Sequence, residues 1–471
     1  MWFKKPDDKD IDFLRRVCTA ERVLTGTDIN SDYSHDEMTE YGCFKPDAVV
    51  DVLSAEEISA ILKYADENHI AVTPRGAGTG LCGGAVPIYG GIVLSLLRMN
   101  RILEIDEENQ TATVEPGLLL SDFIKILSDK RLFYPPDPGE KSATLGGNVM
   151  TNAGGMRAVK YGVTRDYVRG LEAVLPNGEL VVFGGKTAKN SSGYSLKDLI
   201  IGSEGTLAIV TKIILKVLPL PLKVVSLLVP FETLEQCIGA VPRILLSKVM
   251  PTAVEFMQRE VIDAAEVFLG KSFMDKSSDV YLLLQFDGQS TEEIERQYAE
   301  AAEICLENGA IDVFVADTRE HSEKLWDTRG AFLEAIIAST DSLDECDVVV
   351  PRSRIAQFVE FTKQVKARHG IRILNFGHAG DGNIHIYVCK DGMEDAQWLI
   401  EVKGVMKELY DKASELGGQV SGEHGIGHAK IRYLIESVGS SNYKMMTAVK
   451  DAFDPNGILN PGKVCGSEKR K

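Results

Sequence analysis

The stretch NFGHAGDGNIHI, residues 375–386, sets His378 and His385 around a bend made of Gly380, Asp381 and Gly382. The chain holds only eight histidines, so two in one short segment need a reason. Imidazoles facing each other across a glycine bend can ligate a divalent metal, or can be a satisfied structural pair. A later stretch, SGEHGIG (421–427), supplies Glu423 and, beside it, His424. Two histidines and a carboxylate with open coordination positions suit Zn²⁺, Fe²⁺ or Mn²⁺ in a catalytic centre. His428 stands four residues after His424, a helical ligand spacing, but Gly425 and Gly427 argue against a regular helix there. It is expected at the surface or behind the site. The order is not H-E-x-x-H either, because Glu423 precedes the second histidine pair.

Two glycine-dense segments carry a different chemistry. PRGAGTGLCGGAVP (74–87) contains a formal G-x-G-x-x-G at Gly78, Gly80 and Gly83. That motif binds a dinucleotide only where a helix opens after the turn, and here Pro87, Gly90, Gly91 and a strand follow. GGKT at 184–187 is not a phosphate loop, since Leu180 stands where that motif needs glycine. Glycines nevertheless let a backbone approach a phosphate and present several N–H groups to it. The second segment, YPPDPGEKSATLGGNVMTNAGGMRAVKYG (134–162), adds Ser142, Thr144, Asn148 and Asn152 as donors. Either segment alone reads equally well as tight turns. Two of them, with IGSEGTLAIVT (201–211) downstream, favour a phosphate-bearing ligand.

The elements around these residues suggest an α+β chain. In LSAEEISAILKYADENHIAVTPRG a capping box from Ser54 to Glu57 opens a helix whose apolar face is Ile58, Ile61, Leu62 and Ala65. A short strand (70–73) follows, then a buried strand in GIVLSL (91–96). Hairpins are expected at ILEID/TATVEPG and around Pro176, Asn177 and Gly178. TLAIVTKIILKVLP alternates with period two, Ile209, Ile213, Leu215 and Val217 sharing a face. LPLPLK (218–223) reads as a boundary. Beyond it the element order is ferredoxin-like, β-α-β-β-α-β with one inserted helix. The expected domains are 1–218, 219–454 with the histidines, and a docking tail at 455–471.

Composition bounds the function. A formal charge of −17 disfavours nucleic acid, and the basic run is confined to the last residues, GSEKRK. The N-terminal MWFKKPDDKDIDFLRRV lacks the apolar core of a signal peptide, and no stretch approaches the ~18 apolar residues of a span. A cytoplasmic protein without a membrane span is expected. The eight cysteines form no C-x-x-C pair, which excludes that class of zinc and iron–sulfur motif.

The series PRGAGTG, DPGEKSATLGGNVMTNAGG, IGSEGTLAIVT, GHAGDGNIHI, SGEHGIG and NPGK resembles the FAD-linked 2-hydroxy-acid dehydrogenases of the vanillyl-alcohol-oxidase (PCMH-type) flavin fold. It is most similar to the branch of glycolate oxidase catalytic subunits and D-lactate dehydrogenases, including bacterial lactate dehydrogenases linked to electron-transferring flavoprotein. The resemblance implies a PCMH-type FAD domain in residues 1–218, a ferredoxin-like cap in 219–454, and a tail returning to the flavin. It assigns the pyrophosphate to Arg75, Gly76, Ala77, Gly78, Thr79 and Gly80 and to Thr144, Leu145, Gly146 and Asn148. Asp137, Ser142, Asn152, Gly154 and Gly155 line the flavin on this reading. Glu204 and the backbone near Ile209 serve the adenosine end, and Asn460 closes over the ring. Relatives that attach flavin through a histidine in the first loop differ here, where Thr79 and Leu81 stand, so non-covalent FAD is expected.

The same resemblance makes His378, His385 and Glu423 the ligands of one divalent metal and His424 the base. Asn383 is a candidate hydrogen-bond partner of substrate. Arg329, in LWDTRGAF, stands where relatives carry a substrate-binding arginine, and Arg352 is a second candidate; the alternative for Arg329 is a surface residue. Glu345 stands near where hydroxyglutarate-specific relatives carry lysine, which favours a small monocarboxylate. The implied reaction is oxidation of D-lactate or a similar 2-hydroxy acid. Electrons would pass to an electron-transferring flavoprotein or, for a glycolate dehydrogenase, to an iron–sulfur subunit. A metal-dependent hydrolase and a flavin electron-transfer module are the other readings.

Overall fold

The computed structural model describes residues 3–466; the basic end 467–471 and the first two residues lie outside the described residues. The chain forms two compact units. The first comprises 1–153, 163–220 and 424–471, the second 154–162 and 221–423. This differs from the expected boundaries in two places. The helix Ile431–Phe453 belongs to the first unit rather than to 219–454, and a short glycine-flanked segment belongs to the second. That segment is tied in by polar contacts: Lys160 donates to the Asp287 carbonyl (2.7 Å) and the Tyr161 hydroxyl to the Asp287 carboxylate (2.9 Å).

In the first unit, β1 (Val23–Thr25), β2 (Ala48–Asp51), β3 (Val72–Arg75) and β4 (Ile92–Ser95) form a mixed sheet in the order β1-β2-β4-β3. β2 and β3 each run parallel to β4. The helix Ala55–Asn68 makes the crossover between β2 and β3, and its buried residues include Ile58, Ile61, Leu62 and Ala65, the expected stripe. Only half of the capping box forms. Ser54 accepts from the Glu57 N–H, but the Glu57 carboxylate takes Arg22 and the Leu53 N–H instead. The tail extends this sheet: Val72 N–H donates to Ile458 O (2.8 Å) and Asn460 N–H to Val72 O (2.7 Å). Ile458 and Leu459 are fully buried in the core beneath it.

β5 (Ile102–Asp106) and β6 (Thr111–Val114) form the first expected hairpin. β7 (Leu132–Phe133) follows, then β8 (Val168–Val174) and β9 (Leu180–Gly184), the second hairpin, and β10 (Ile209–Lys216). The antiparallel order is β5-β6-β10-β8-β9. Pro219 does not end the unit, because β11 (Leu218–Pro219) pairs with β7.

The second unit is built on a seven-stranded antiparallel sheet. Its strands are β12 (Lys223–Phe231), β13 (Ala253–Gln258), β14 (Val280–Gly288), β15 (Phe314–Ala316), β16 (Leu343–Val349), β17 (Arg372–His378) and β18 (Asn383–Cys389). The order β15-β12-β14-β13 is the ferredoxin-like arrangement, with the helix Arg259–Leu269 inserted between β13 and β14 as expected. Sequence reading missed the extension β17-β18-β16, and this is the part that carries both histidines. No helix among the described residues is long and apolar enough to cross a membrane.

Candidate active-site groups

β17 and β18 form a tight hairpin that ends at His378 and restarts at Asn383. Gly382 sits in it at φ +94°, and a Cβ there would come within 2.0 Å of Val350 O, so only glycine fits the bend. The hairpin brings the rings of His378 and His385 to 5.1 Å between centroids, nearly perpendicular. Their Nε2 atoms lie 3.2 Å apart, and Glu423 Oε1 lies 3.3 Å from one and 3.4 Å from the other. Three donors about 2.0–2.1 Å from one ion at tetrahedral angles stand about 3.3 Å apart. The donor set therefore has the spacing of a metal-binding face.

Behind the histidines stand two buried acids that the sequence reading did not single out. His378 Nδ1 meets Glu255 Oε1 at 2.7 Å, and His385 Nδ1 lies 3.4 Å from Asp347 Oδ1. A carboxylate on the far nitrogen of a ligand histidine orients the ring and leaves Nε2 for the ion. Burial opposes a charge on His378, but Glu255 and Glu423 outweigh it and raise its pKa well above the ordinary value. Burial also pushes Glu255 up, and His378 and Arg329 bring it below the usual range. Burial lifts Asp381, within the bend, to about 6. Acids inside apolar strands (AVEFM, LDECDVV) were the available signal, because a buried charge needs a partner.

Arg329 is not a surface residue. It is buried, and its Nε and Nη2 both donate to Glu255 Oε2, at 2.9 and 2.7 Å, with the guanidinium 4.5 Å over the Phe376 ring. Two of the five N–H donors of Arg329 thus go to Glu255. The Asn383 amide donates to Asp347 (2.7 Å) and Val348 O (2.9 Å), so both N–H groups are committed and a bond to substrate would use its Oδ1. Two acceptors as partners fix the amide orientation. Arg352 is exposed in the turn Arg352–Arg354. Gly154 lies against Glu423, where a Cβ would stand 2.6 Å from Oε2, and Gly154 and Gly155 fall in the second unit. His424, half-buried, begins the return to the first unit.

In the first unit the two glycine segments meet. A Cβ on Gly76 would stand 2.3 Å from Thr144 Oγ1. No helix opens between Arg75 and Ile92, as the failed dinucleotide motif required. Arg75 staples the loop holding Ala77, Gly78, Thr79 and Gly80 by donating to His35 O and Asp32 O, both at 2.8 Å. Thr144 caps the helix Leu145–Thr151, which carries Gly146 and Asn148, accepting from Gly147 N–H at 3.1 Å. Asn152 ends it at φ +52° and accepts from Arg165 N–H. Asp137 pairs with Lys141, and Ser142 is exposed. Ile209 is a β10 residue opposite Val174. The Glu204 carboxylate accepts Ile426 N–H (2.7 Å) and Gly427 N–H (2.8 Å). His428 packs beside this turn against Gly83, edge-on to Tyr41 and Phe44. Asn460 donates to Gly84 O and Glu204 O.

Two buried amide atoms, Asn148 Nδ2 in the second segment and Asn460 Oδ1 in the tail beside Gly84 of the first, have no hydrogen-bond partner. Buried polar atoms are rarely left so, and both line glycine-rich backbone. The segments fit a polar phosphate-bearing cofactor.

Comparison with known proteins agrees. Residues 46–184 match the family described as FAD binding domain, and 220–464 match FAD linked oxidases, C-terminal domain. The chain is 52% identical to D-lactate dehydrogenase of Anaerostipes hadrus, over 94% of this chain and 95% of that one. It is 42% identical to glycolate oxidase subunit GlcD of Bacillus subtilis, over 93% of each. A crystal structure of p-cresol methylhydroxylase with substrate bound superposes with a TM-score of 0.82 at 18% identity, covering 98% of both chains, so the PCMH-type fold is shared. With an FAD-binding unit and an oxidase unit matched along nearly its whole length, the chain belongs to the FAD-linked oxidases and is a flavin-dependent oxidoreductase.

Proposed function

We propose that the protein oxidises a small 2-hydroxy acid, D-lactate first, to the 2-oxo acid, using FAD and one divalent metal. The observation that carries this reading is the convergence of His378 Nε2, His385 Nε2 and Glu423 Oε1 within 3.2–3.4 Å, in a chain with a matched FAD-binding unit. The relatives named D-lactate dehydrogenase, at 52% and 40% identity, favour D-lactate. Glycolate is the second substrate, favoured by the glycolate oxidase subunit at 42%.

FAD, held non-covalently by the two glycine segments, supplies the hydride acceptor that side chains lack. His378, His385 and Glu423 would hold a divalent ion, which would supply Lewis-acid stabilisation of the alkoxide forming on substrate. The chain's own residues do the rest. Glu255 keeps a proton on His378 Nδ1, so that Nε2 offers its lone pair. His424, next to Glu423 in sequence, takes the hydroxyl proton as a neutral imidazole, a contribution of typically ~10²–10⁴-fold. Arg329, which engages Glu255 through Nε and Nη2, and Arg352 are the two candidates for the substrate carboxylate. Electrons leave to a protein acceptor, electron-transferring flavoprotein or an iron–sulfur subunit.

The test is a dye-linked assay with D-lactate, L-lactate, glycolate and D-2-hydroxyglutarate on enzyme as purified, after chelation, and after metal is restored. Turnover of D-lactate that chelation abolishes and metal restores is expected. Turnover indifferent to chelation overturns the metal reading.

A further inference from the structure

The third ligand, Glu423, comes from a segment remote in sequence from the histidine hairpin, and something must hold it there. The backbone begins the task. Gln419 pairs with Val349 at the end of β16, donating to Val349 O at 2.8 Å and accepting its N–H at 3.3 Å. β16 is the edge strand of the seven-stranded sheet, so its outer side is where a returning chain can pair. Two residues before Val349 stands Asp347, directly opposite His385 in the β16–β18 ladder. Opposed residues put their side chains on the same face about 5 Å apart. Asp347 is fully buried. Its Oδ2 accepts the backbone N–H of Glu423 (2.9 Å), the N–H of Gly422 (3.0 Å) and the Ser421 hydroxyl (3.0 Å). Its Oδ1 accepts the Asn383 amide (2.7 Å) and lies 3.4 Å from His385 Nδ1. One carboxylate thus touches the hairpin that carries two ligands and the turn that carries the third.

We infer that Asp347 is a positioning residue for the metal-binding group: it places the Glu423 carboxylate against His378 and His385. Asn383 belongs to the same device, orienting Asp347 from the hairpin. This rests on the reading that His378, His385 and Glu423 hold a divalent ion. Because three N–H or O–H donors of 421–423 converge on Oδ2, loss of the carboxylate leaves the turn to backbone bonds such as Gly422 N–H to Asp347 O (3.2 Å) and loosens Glu423 from the histidine pair.

The experiment is a cobalt(II) titration of full-length, flavin-loaded protein freed of metal. Binding is read from competition with a chromophoric chelator, and coordination from the ligand-field band. The proteins are wild type, Asp347→Ala, Asp347→Asn, Ser421→Ala, Glu423→Ala and the double variant Asp347→Ala/Glu423→Ala. Loss of an outer partner of a metal ligand costs about 10–100-fold in affinity, expected for Asp347→Ala, with a smaller loss for Ser421→Ala. If Asp347 acts through Glu423, the double variant binds no more weakly than Glu423→Ala, and Asp347→Ala shifts the band toward that of Glu423→Ala. Losses that multiply in the double variant, or an Asp347→Ala protein with wild-type affinity, overturn the inference while leaving the metal reading intact. Wild type that binds no cobalt overturns the metal reading and the inference with it. Should Asp347→Ala not fold, Asp347→Asn and Ser421→Ala carry the same comparison with Glu423→Ala.

Discussion

Replacing Arg329 by methionine removes the guanidinium from a carboxylate with no exposure to water. Glu255 is fully buried, and Arg329 gives it two hydrogen bonds of 2.7 and 2.9 Å, leaving His378 as the other charged partner. Removing one member of a buried ion pair costs about 3–5 kcal/mol, because the survivor keeps its desolvation penalty. Since His378 still faces Glu255, the lower end, about 3 kcal/mol, is expected. A second change, Glu255→Leu, removes the stranded charge and recovers part of the loss, so the double variant is more stable than Arg329→Met alone. Two of the three tryptophans, Trp326 and Trp398, lie in the second unit, so tryptophan fluorescence in urea follows that unit in a Trp2→Phe background. An Arg329→Met protein within about 1 kcal/mol of wild type, on the scale of an exposed pair, would refute the argument that this charge pair is buried and essential to the unit.

Gly382→Ala forces a side chain into the left-handed region and against Val350 O, so the hairpin opens; cobalt affinity should fall at least as far as in Glu423→Ala, and an unchanged affinity contradicts the hairpin geometry. His428 is pulled down to about 4 by burial and, second, by Lys463. The unfolded chain therefore binds the extra proton first, and stability falls as pH drops from about 6.5 toward 4, by about 1–2 kcal/mol after allowing for partial exposure; His428→Gln should flatten that slope in thermal unfolding series. Acid precipitation should release all flavin to the supernatant, and flavin that stays with the pellet contradicts non-covalent attachment.

Much of the first unit was legible because its signals are local. The stripe of Ile58, Ile61, Leu62 and Ala65 and the turn at Asn177–Gly178 state their elements within a few residues. The ferredoxin-like order followed from alternating periods in the same way. What stayed hidden was long-range. β16 and β18 are apolar runs with acids or histidines inside them, and nothing local says that they join β13 through β17. The contacts of Glu255, Asp347 and Arg329 depend on that pairing, so the two bonds from Arg329 to Glu255 were not visible in the sequence. The partners of Glu204, Ile426 and Gly427, likewise lie far along the chain. The ligand types were visible in sequence, but the acids that orient them were not.

The most direct test of the central claim is the anaerobic visible spectrum of purified protein mixed with D-lactate, before and after metal removal. The account predicts a flavin band near ~450 nm that D-lactate bleaches in the metal-loaded protein and leaves unchanged in the chelated one. Equal bleaching in both would contradict the role given to His378, His385 and Glu423.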